Sequence, residues 1–221
     1  MTKILFIGNS YTFYNDMPQM LLTIARNNGK EITVHSVTKG GRKLYENLNE
    51  EDKYNRQIRA LINDNEYDVL FLQEQSYFAL VDYAEFKRGI CELARLVAAK
   101  RTVLYATWGR KTGCDLLEKY GWTTDGMTDG LYDAYGKAAK EIGAELSPVG
   151  LCFKSLSHAA PHIELYNPDL SHPSYAGSFT AALCHYFKIF GELPENFDGI
   201  ELDKNEIDII KQTVLNILQS T

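Results

Sequence analysis

The chain is short of the residues that would commit it to a specialised class. Only four of its 221 residues are cysteines, Cys91, Cys114, Cys152 and Cys184. They are widely spaced and form no Cys-x-x-Cys pair, which argues against a disulfide framework or a thiolate zinc site and suits a reducing compartment. No run approaches the ~20 apolar residues of a membrane-spanning helix. No basic start followed by an apolar stretch and a small-residue cleavage site precedes the first hydrophobic segment, so a cytoplasmic location is expected. Lysine and arginine form no cluster that could track a phosphate backbone. With 23 basic against 29 acidic residues and a net charge of −6, neither nucleic acid nor an anionic membrane is an expected partner. Internal repeats, low-complexity tracts and linkers are missing as well. One domain spanning 1–221 is the expectation for a chain of this length.

What is present is an alternation of two periodicities. Ile4–Ile7 is a continuous apolar run ending in Gly8-Asn9-Ser10, as a strand buried on both faces reads. Glu31–Val37, Asp68–Gln73, Arg101–Thr107 and Ala144–Val149 are further strand candidates. Between them, Met17–Asn27, Tyr54–Asn63, Phe86–Lys100, Thr128–Gly143, Tyr175–Phe190 and Asp203–Gln219 repeat apolar residues at helical spacing. Asp16, just ahead of Pro18, is the expected cap of the first helix. Strands alternating with helices imply an α/β fold with a parallel sheet covered on both faces. Two stretches, 108–127 and 153–174, read as long and irregular, and such loops are usually functional. In these sheets ligands bind outside the carboxyl ends of the strands. Ser10, Gln73, Gln75 and Thr107 all fall at or just after such ends.

Several of these residues can carry chemistry. Ser10 reads either as a nucleophile exposed at the sheet edge or as an ordinary turn serine. A serine alkoxide needs a base, and the base needs an orienting acceptor. Asp169 and His172, three residues apart in Asn167-Pro-Asp-Leu-Ser-His-Pro-Ser, can supply both, with the carboxylate on Nδ1 and Nε2 left for the serine. The bland reading is an acidic helix cap beside a solvated histidine. His158 and His162, with Asp169 and His172, are a conceivable metal set, although Pro161 interrupts the helix that would align the first pair. An oxyanion needs two or three donors. The Ser10 N–H, the Gly40-Gly41 backbone and the amides of Gln73 and Gln75 are the candidates, and the residues alone separate neither pair. Glu74 alternates with the glutamines and should point away from the pocket. Asn9, Gln75 and Trp108 are the expected substrate contacts, Asn9 also serving as a brace for its loop. Trp108, Tyr120 and Trp122, near Arg110 and Lys111, either stack on a sugar ring or pack the loop.

Taken in order, Gly8-Asn9-Ser10, Gly40-Gly41, the amide after the third strand and Asp169-x-x-His172 followed by Pro-Ser-x-x-Gly resemble the four blocks of the SGNH (GDSL-like) hydrolases. The resemblance covers the chain from Ser10 to the helix after His172. It implies a flavodoxin-like three-layer α/β/α sandwich around a parallel sheet of about five strands. It implies Ser10 as nucleophile and first oxyanion donor, Gly41 as second donor, His172 as base and Asp169 as its orienting acid. Two departures stand out: Asn9 where the family usually has Asp, and Gln73-Glu74-Gln75-Ser76 where it has Gly-x-Asn-Asp. The latter is similar to the Gln-Gly-Glu-Ser block of carbohydrate acetylesterases. It favours Gln73 as third donor and acetyl or other short acyl esters, sugar esters among them, as the small-molecule substrate. The implied mechanism needs no cofactor and no metal. A non-catalytic flavodoxin-like binding domain and a metal-dependent hydrolase are the rival readings. The residues say nothing of oligomeric state.

Overall fold

The computed structural model describes all residues from 1 to 221. The chain runs β1 (Thr2–Gly8), α1 (Ser10–Phe13), a 3-10 turn (Tyr14–Asp16), α2 (Met17–Asn27), β2 (Ile32–Thr38) and a second 3-10 turn (Leu44–Leu48). It continues through α3 (Lys53–Asp64), β3 (Val69–Leu72), α4 (Phe78–Val81), α5 (Tyr83–Val97), β4 (Arg101–Tyr105), α6 (Asp115–Tyr120) and α7 (Thr124–Ile142). It closes with β5 (Glu145–Ser147), α8 (Val149–Ala159), α9 (Tyr175–Phe190) and α10 (Lys204–Ser220). The five strands form one sheet in the order β2-β1-β3-β4-β5, every pair parallel.

Each strand buries alternate residues on opposite faces. Ile4, Phe6, Val69, Phe71, Val103 and Tyr105 meet α2, α8, α9 and α10 on one face. Leu5, Ile7, Leu70, Leu72 and Leu104 meet α3, α5 and α7 on the other. The three-layer α/β/α sandwich is therefore as expected. The strand order reverses at β1: β2 lies on one side and β3 on the other. The crevice outside the carboxyl ends of β1 and β3 is the place where such folds bind ligands.

Several local expectations are corrected. The stretch 153–174 is not irregular throughout, because α8 occupies its first part. Val149, Cys152, Phe153 and Leu156 repeat at i, i+3, i+4 and i+7 and are all fully buried. Pro148 ends β5 and lets this helix start sooner than the strand reading to Val149 allowed. Within 108–127 lie α6 and the start of α7. Asp16 does not cap α2 with its side chain. It sits at φ 49° and ψ 46°, in the left-handed region, next to Asn15 at φ 52°. Two successive non-glycine residues in that region cost free energy and are held by contacts described below.

Candidate active site

The site begins where β1 ends. Gly8 carries no side chain because none fits: a Cβ there would lie 2.6 Å from Thr12 Oγ1 and 2.7 Å from Gln73 Oε1. This close approach turns the chain directly from strand into α1. Asn9 is the cap of α1, its Oδ1 accepting from Tyr11 N–H at 3.1 Å. Ser10 is the first residue of that helix, so its own N–H has no intrahelical acceptor, and it finds none elsewhere in the protein. The serine side chain is thus presented at the sheet edge, with the residue 8 % exposed.

The partner groups arrive from the segment ahead of α9. Asp169 closes a tight turn on itself: Oδ1 accepts from Ser171 N–H at 3.0 Å and His172 N–H at 2.9 Å. Leu170, at φ 60°, takes the left-handed conformation that this turn requires. The other carboxylate oxygen, Oδ2, lies 2.5 Å from His172 Nδ1, and His172 Nε2 lies 2.8 Å from Ser10 Oγ. Asp169 does not cap α9. That role belongs to Ser174, whose Oγ accepts from Gly177 N–H. Partial burial pushes the Asp169 carboxyl up, but the hydrogen bonds from His172 and Ser171 outweigh it and hold the group below its ordinary value. With the carboxylate ionised and bound to Nδ1, Nε2 is free to accept a proton from the serine.

Two residues missed in the sequence position the imidazole. The Tyr14 ring stacks on His172, centroids 4.2 Å apart and planes 10° from parallel. Asn15 locks this arrangement. Its Nδ2 lies 3.1 Å from Pro173 O, 3.0 Å from Ser174 O and 2.9 Å from Ser178 Oγ. The left-handed backbone at Asn15 and Asp16 is what brings that amide to the histidine loop. Asparagine tolerates this conformation better than most residues, which was the available signal.

Of the oxyanion candidates, the two glutamines now separate. Lys39–Arg42 forms a turn, Arg42 N–H to Lys39 O at 3.1 Å, with Gly41 at φ +68°. Gly40 and Gly41 are both exposed and neither N–H has an acceptor in the protein, so either can serve as a donor. Asn9 fixes this turn to the end of β1, since its Nδ2 donates to Arg42 O at 3.0 Å. Asn9 is 2 % exposed and both ends of its amide are engaged. It is a brace and not a substrate contact. Gln73 is likewise spent inside: Oε1 accepts from Asn9 N–H and Thr12 Oγ1–H, both at 2.9 Å, and Nε2 donates to Glu74 O. The expectation that Gln73 supplies the third donor is therefore corrected. Gln75 is half-buried. Its Oε1 accepts from Tyr77 N–H at 3.3 Å, while Nε2 has no partner in the protein.

Glu74 points away from this crevice, as alternation required. It is fully buried, and its carboxyl accepts from Leu44 N–H and Gln75 N–H. Burial pushes it up to about 8. Trp108 is a third correction. It is fully buried, sandwiched between Tyr11 (4.6 Å) and Phe153 (4.0 Å), and its Nε1–H donates to Ser171 O at 3.0 Å. It packs under the loop that carries Asp169 and His172 and offers no face to a sugar. Tyr120 and Trp122 stack on each other at 4.5 Å, with Tyr120 36 % exposed. His158 pairs with Asp125 at 2.8 Å. No group of three or more His, Cys, Asp or Glu side chains is gathered as a metal would need, so the set His158, His162, Asp169 and His172 does not form.

No family model and no curated protein matches the chain. Solved structures do. A protein of Slackia heliotrinireducens described as an SGNH hydrolase is 32% identical, with a TM-score of 0.73 over 85% of this chain and 98% of that one. A DUF4886 family protein from Bacteroides uniformis is 19% identical, with a TM-score of 0.83 over 99% and 95%. An acetyl xylan esterase shares the fold at 16% identity, with a TM-score of 0.64 over 85% of this chain and 100% of its own. Sequence identity at near-complete coverage of the first of these, together with the sheet topology, settles the family: the chain belongs to the SGNH hydrolases.

Proposed function

We propose that the protein is a serine ester hydrolase working through an acyl-enzyme on small substrates, with acetyl and other short acyl esters, including those of sugars, as its class. Ser10 attacks the ester carbonyl as His172 Nε2 takes its proton, and Asp169 holds the imidazole in the tautomer and orientation this needs. The oxyanion settles on the N–H groups of Ser10 and Gly41, with Gln75 Nε2 as the third donor. His172 then gives its proton to the leaving alcohol, and activates water to release the acid.

The observation that carries this reading is the unbroken line Asp169 Oδ2, His172, Ser10 Oγ at 2.5 and 2.8 Å, flanked by two backbone donors without acceptors. The short acyl group is supported by the Gln73-Glu74-Gln75-Ser76 block, which resembles that of carbohydrate acetylesterases, and by the acetyl xylan esterase of the same fold.

The test is hydrolysis of 4-nitrophenyl acetate against longer-chain 4-nitrophenyl esters, wild type beside Ser10→Ala. Turnover should fall with chain length and drop by at least about 10³-fold in the variant, while its thermal melt stays close to wild type. Comparable turnover in Ser10→Ala would overturn the mechanism. A preference for long chains would overturn the substrate class.

A further inference from the structure

Arg110 follows β4 on the same edge of the sheet as Ser10. Its backbone N–H donates to Met127 Sδ at 3.3 Å and its Nη2 to Ser76 Oγ at 2.8 Å. The rest of the guanidinium is unpaired. Nε is shut off from solvent and has no acceptor, Nη1 has no partner in the protein, and Arg110 takes part in none of the ion pairs. Arg42, the other arginine of the sheet edge, is treated in the opposite way. It bonds Asn47 Oδ1 at 2.7 Å and Glu46 O at 2.8 Å, and pairs with Asp52 at 2.9 Å. Folds that desolvate a guanidinium normally satisfy it in this manner.

The location ties Arg110 to the triad. Ser76 comes directly after Gln75. Tyr11 comes directly after Ser10, and its hydroxyl bonds Ser171 Oγ at 2.9 Å, beside His172. Burial pushes the Tyr11 hydroxyl up, and the charge of Arg110 is the chief influence opposing it, ahead of Ser171 and Ser76. Lys111 N–H bonds Leu170 O at 2.9 Å, which fastens the Arg110 segment to the loop carrying Asp169 and His172. A largely desolvated cation without a counter-ion is left uncompensated at the edge of the site. An anion brought by the substrate would supply the missing partner.

We propose that Arg110 is an anion subsite of the active centre, and that the preferred ester carries a carboxylate received by the Nη1 side of the guanidinium. This rests on the serine-hydrolase reading and narrows its substrate class. The planar fork of arginine suits a carboxylate, and no acidic side chain of the protein occupies that place.

Two matched pairs of esters test it: 4-nitrophenyl acetate against mono-4-nitrophenyl succinate, with the charge on the acyl part, and phenyl acetate against 4-carboxyphenyl acetate, with the charge on the alcohol. Wild type, Arg110→Gln and Arg110→Lys are compared by kcat/KM, with labelling of Ser10 by a fluorophosphonate as a separate readout. In at least one pair, Arg110→Gln should lower kcat/KM for the anionic member about 10- to 100-fold more than for the neutral one, as expected for losing one charge-assisted contact. The difference should appear in KM, and Arg110→Lys, which keeps the charge without the fork, should keep part of the preference. In the wild type the preference should shrink with added sodium chloride. The pair that responds shows which side of the ester bears the charge. Equal losses on neutral and anionic esters would mean that Arg110 acts on the transition state of any ester, and the anion subsite falls. It also falls if the enzyme reacts with the fluorophosphonate yet shows no charge preference, including the case in which it turns over none of the four. Absence of labelling together with absence of turnover would remove the serine-hydrolase reading, and this inference with it.

Discussion

Replacing Glu74 by glutamine removes the only carboxyl group that the fold buries completely. In the native protein burial raises that group to about 8, whereas in an unfolded chain a glutamate titrates near ~4.3. Between those values the native state keeps a proton that the unfolded state has released. Stability must therefore fall as pH rises across this window, by at most ~1.4 kcal/mol per pH unit. Burial prevails over the two backbone N–H groups that Glu74 accepts, from Leu44 and Gln75, which favour the ionised form, so the span from ~4.3 to about 8 is the net of both effects. Over that span the loss comes to roughly 5 kcal/mol at most. Glutamine keeps a carbonyl oxygen for one of those donors and does not titrate. Urea unfolding at pH 5, 6.5 and 8 should show the wild type losing stability relative to Glu74→Gln as pH rises. The variant should be the less stable of the two at pH 5 and equal or superior at pH 8. Parallel pH profiles, or a wild type that gains on the variant towards pH 8, would refute the reasoning.

The positioning of the imidazole is open to a similar test. Asn15→Ala removes the amide that holds Tyr14 against His172 and leaves alanine in a left-handed conformation. It should lower kcat by about 10-fold or more with little change in KM, and cost ~1–3 kcal/mol of stability; Asn15→Gly relieves only the backbone, so kcat should stay low while part of the stability returns. The two glutamines should divide by role. Gln75→Ala should reduce kcat by 10- to 1000-fold at nearly unchanged thermal stability, as loss of an oxyanion donor does. Gln73→Ala should instead lower the melting temperature, because it strips acceptors from Asn9 N–H and Thr12 Oγ1. A reversal of those two phenotypes would return the donor role to Gln73.

How much of this was legible in the sequence depended on whether a signal was local. Strands buried on both faces announce themselves as apolar runs, and Met17–Asn27 and Tyr175–Phe190 have the boundaries that their periodicity indicates. The Asp169 and His172 spacing is also local, since three residues in a turn suffice to bring carboxylate and imidazole together. Gln73, Trp108 and Tyr14 were not legible in the same way. Each owes its role to a partner more than fifty residues distant or to a left-handed backbone that residue type alone does not dictate. Gln73 and Gln75 both follow β3, and only the closeness of Gly8 to Gln73 decides which amide turns inward. Trp108 read equally as a sugar platform and as loop packing, because aromatic residues in a loop look the same whether they stack on a ligand or on Phe153. Helix α8 was hidden by the strand before it. The apolar residues of 144–149 suggested continuity, where Pro148 marks the change from one element to the other.

The clamp at Asn15 has a consequence for how the site comes into being. Ser10 meets His172 across 162 residues, Tyr11 meets Ser171 across 160, and Asn15 reaches Pro173, Ser174 and Ser178 across 158 to 163. These are rungs of one closure, because they join the same two short segments. The entropy of bringing distant parts of a chain together is spent mainly on the first such contact, and later rungs in the same ring add little further loss. Ser10, His172 and Asn15 therefore assemble as a unit. Loosening the start of α9 would dismantle all of them at once, so a partly formed site, with Ser10 in place and His172 away from it, is scarcely populated.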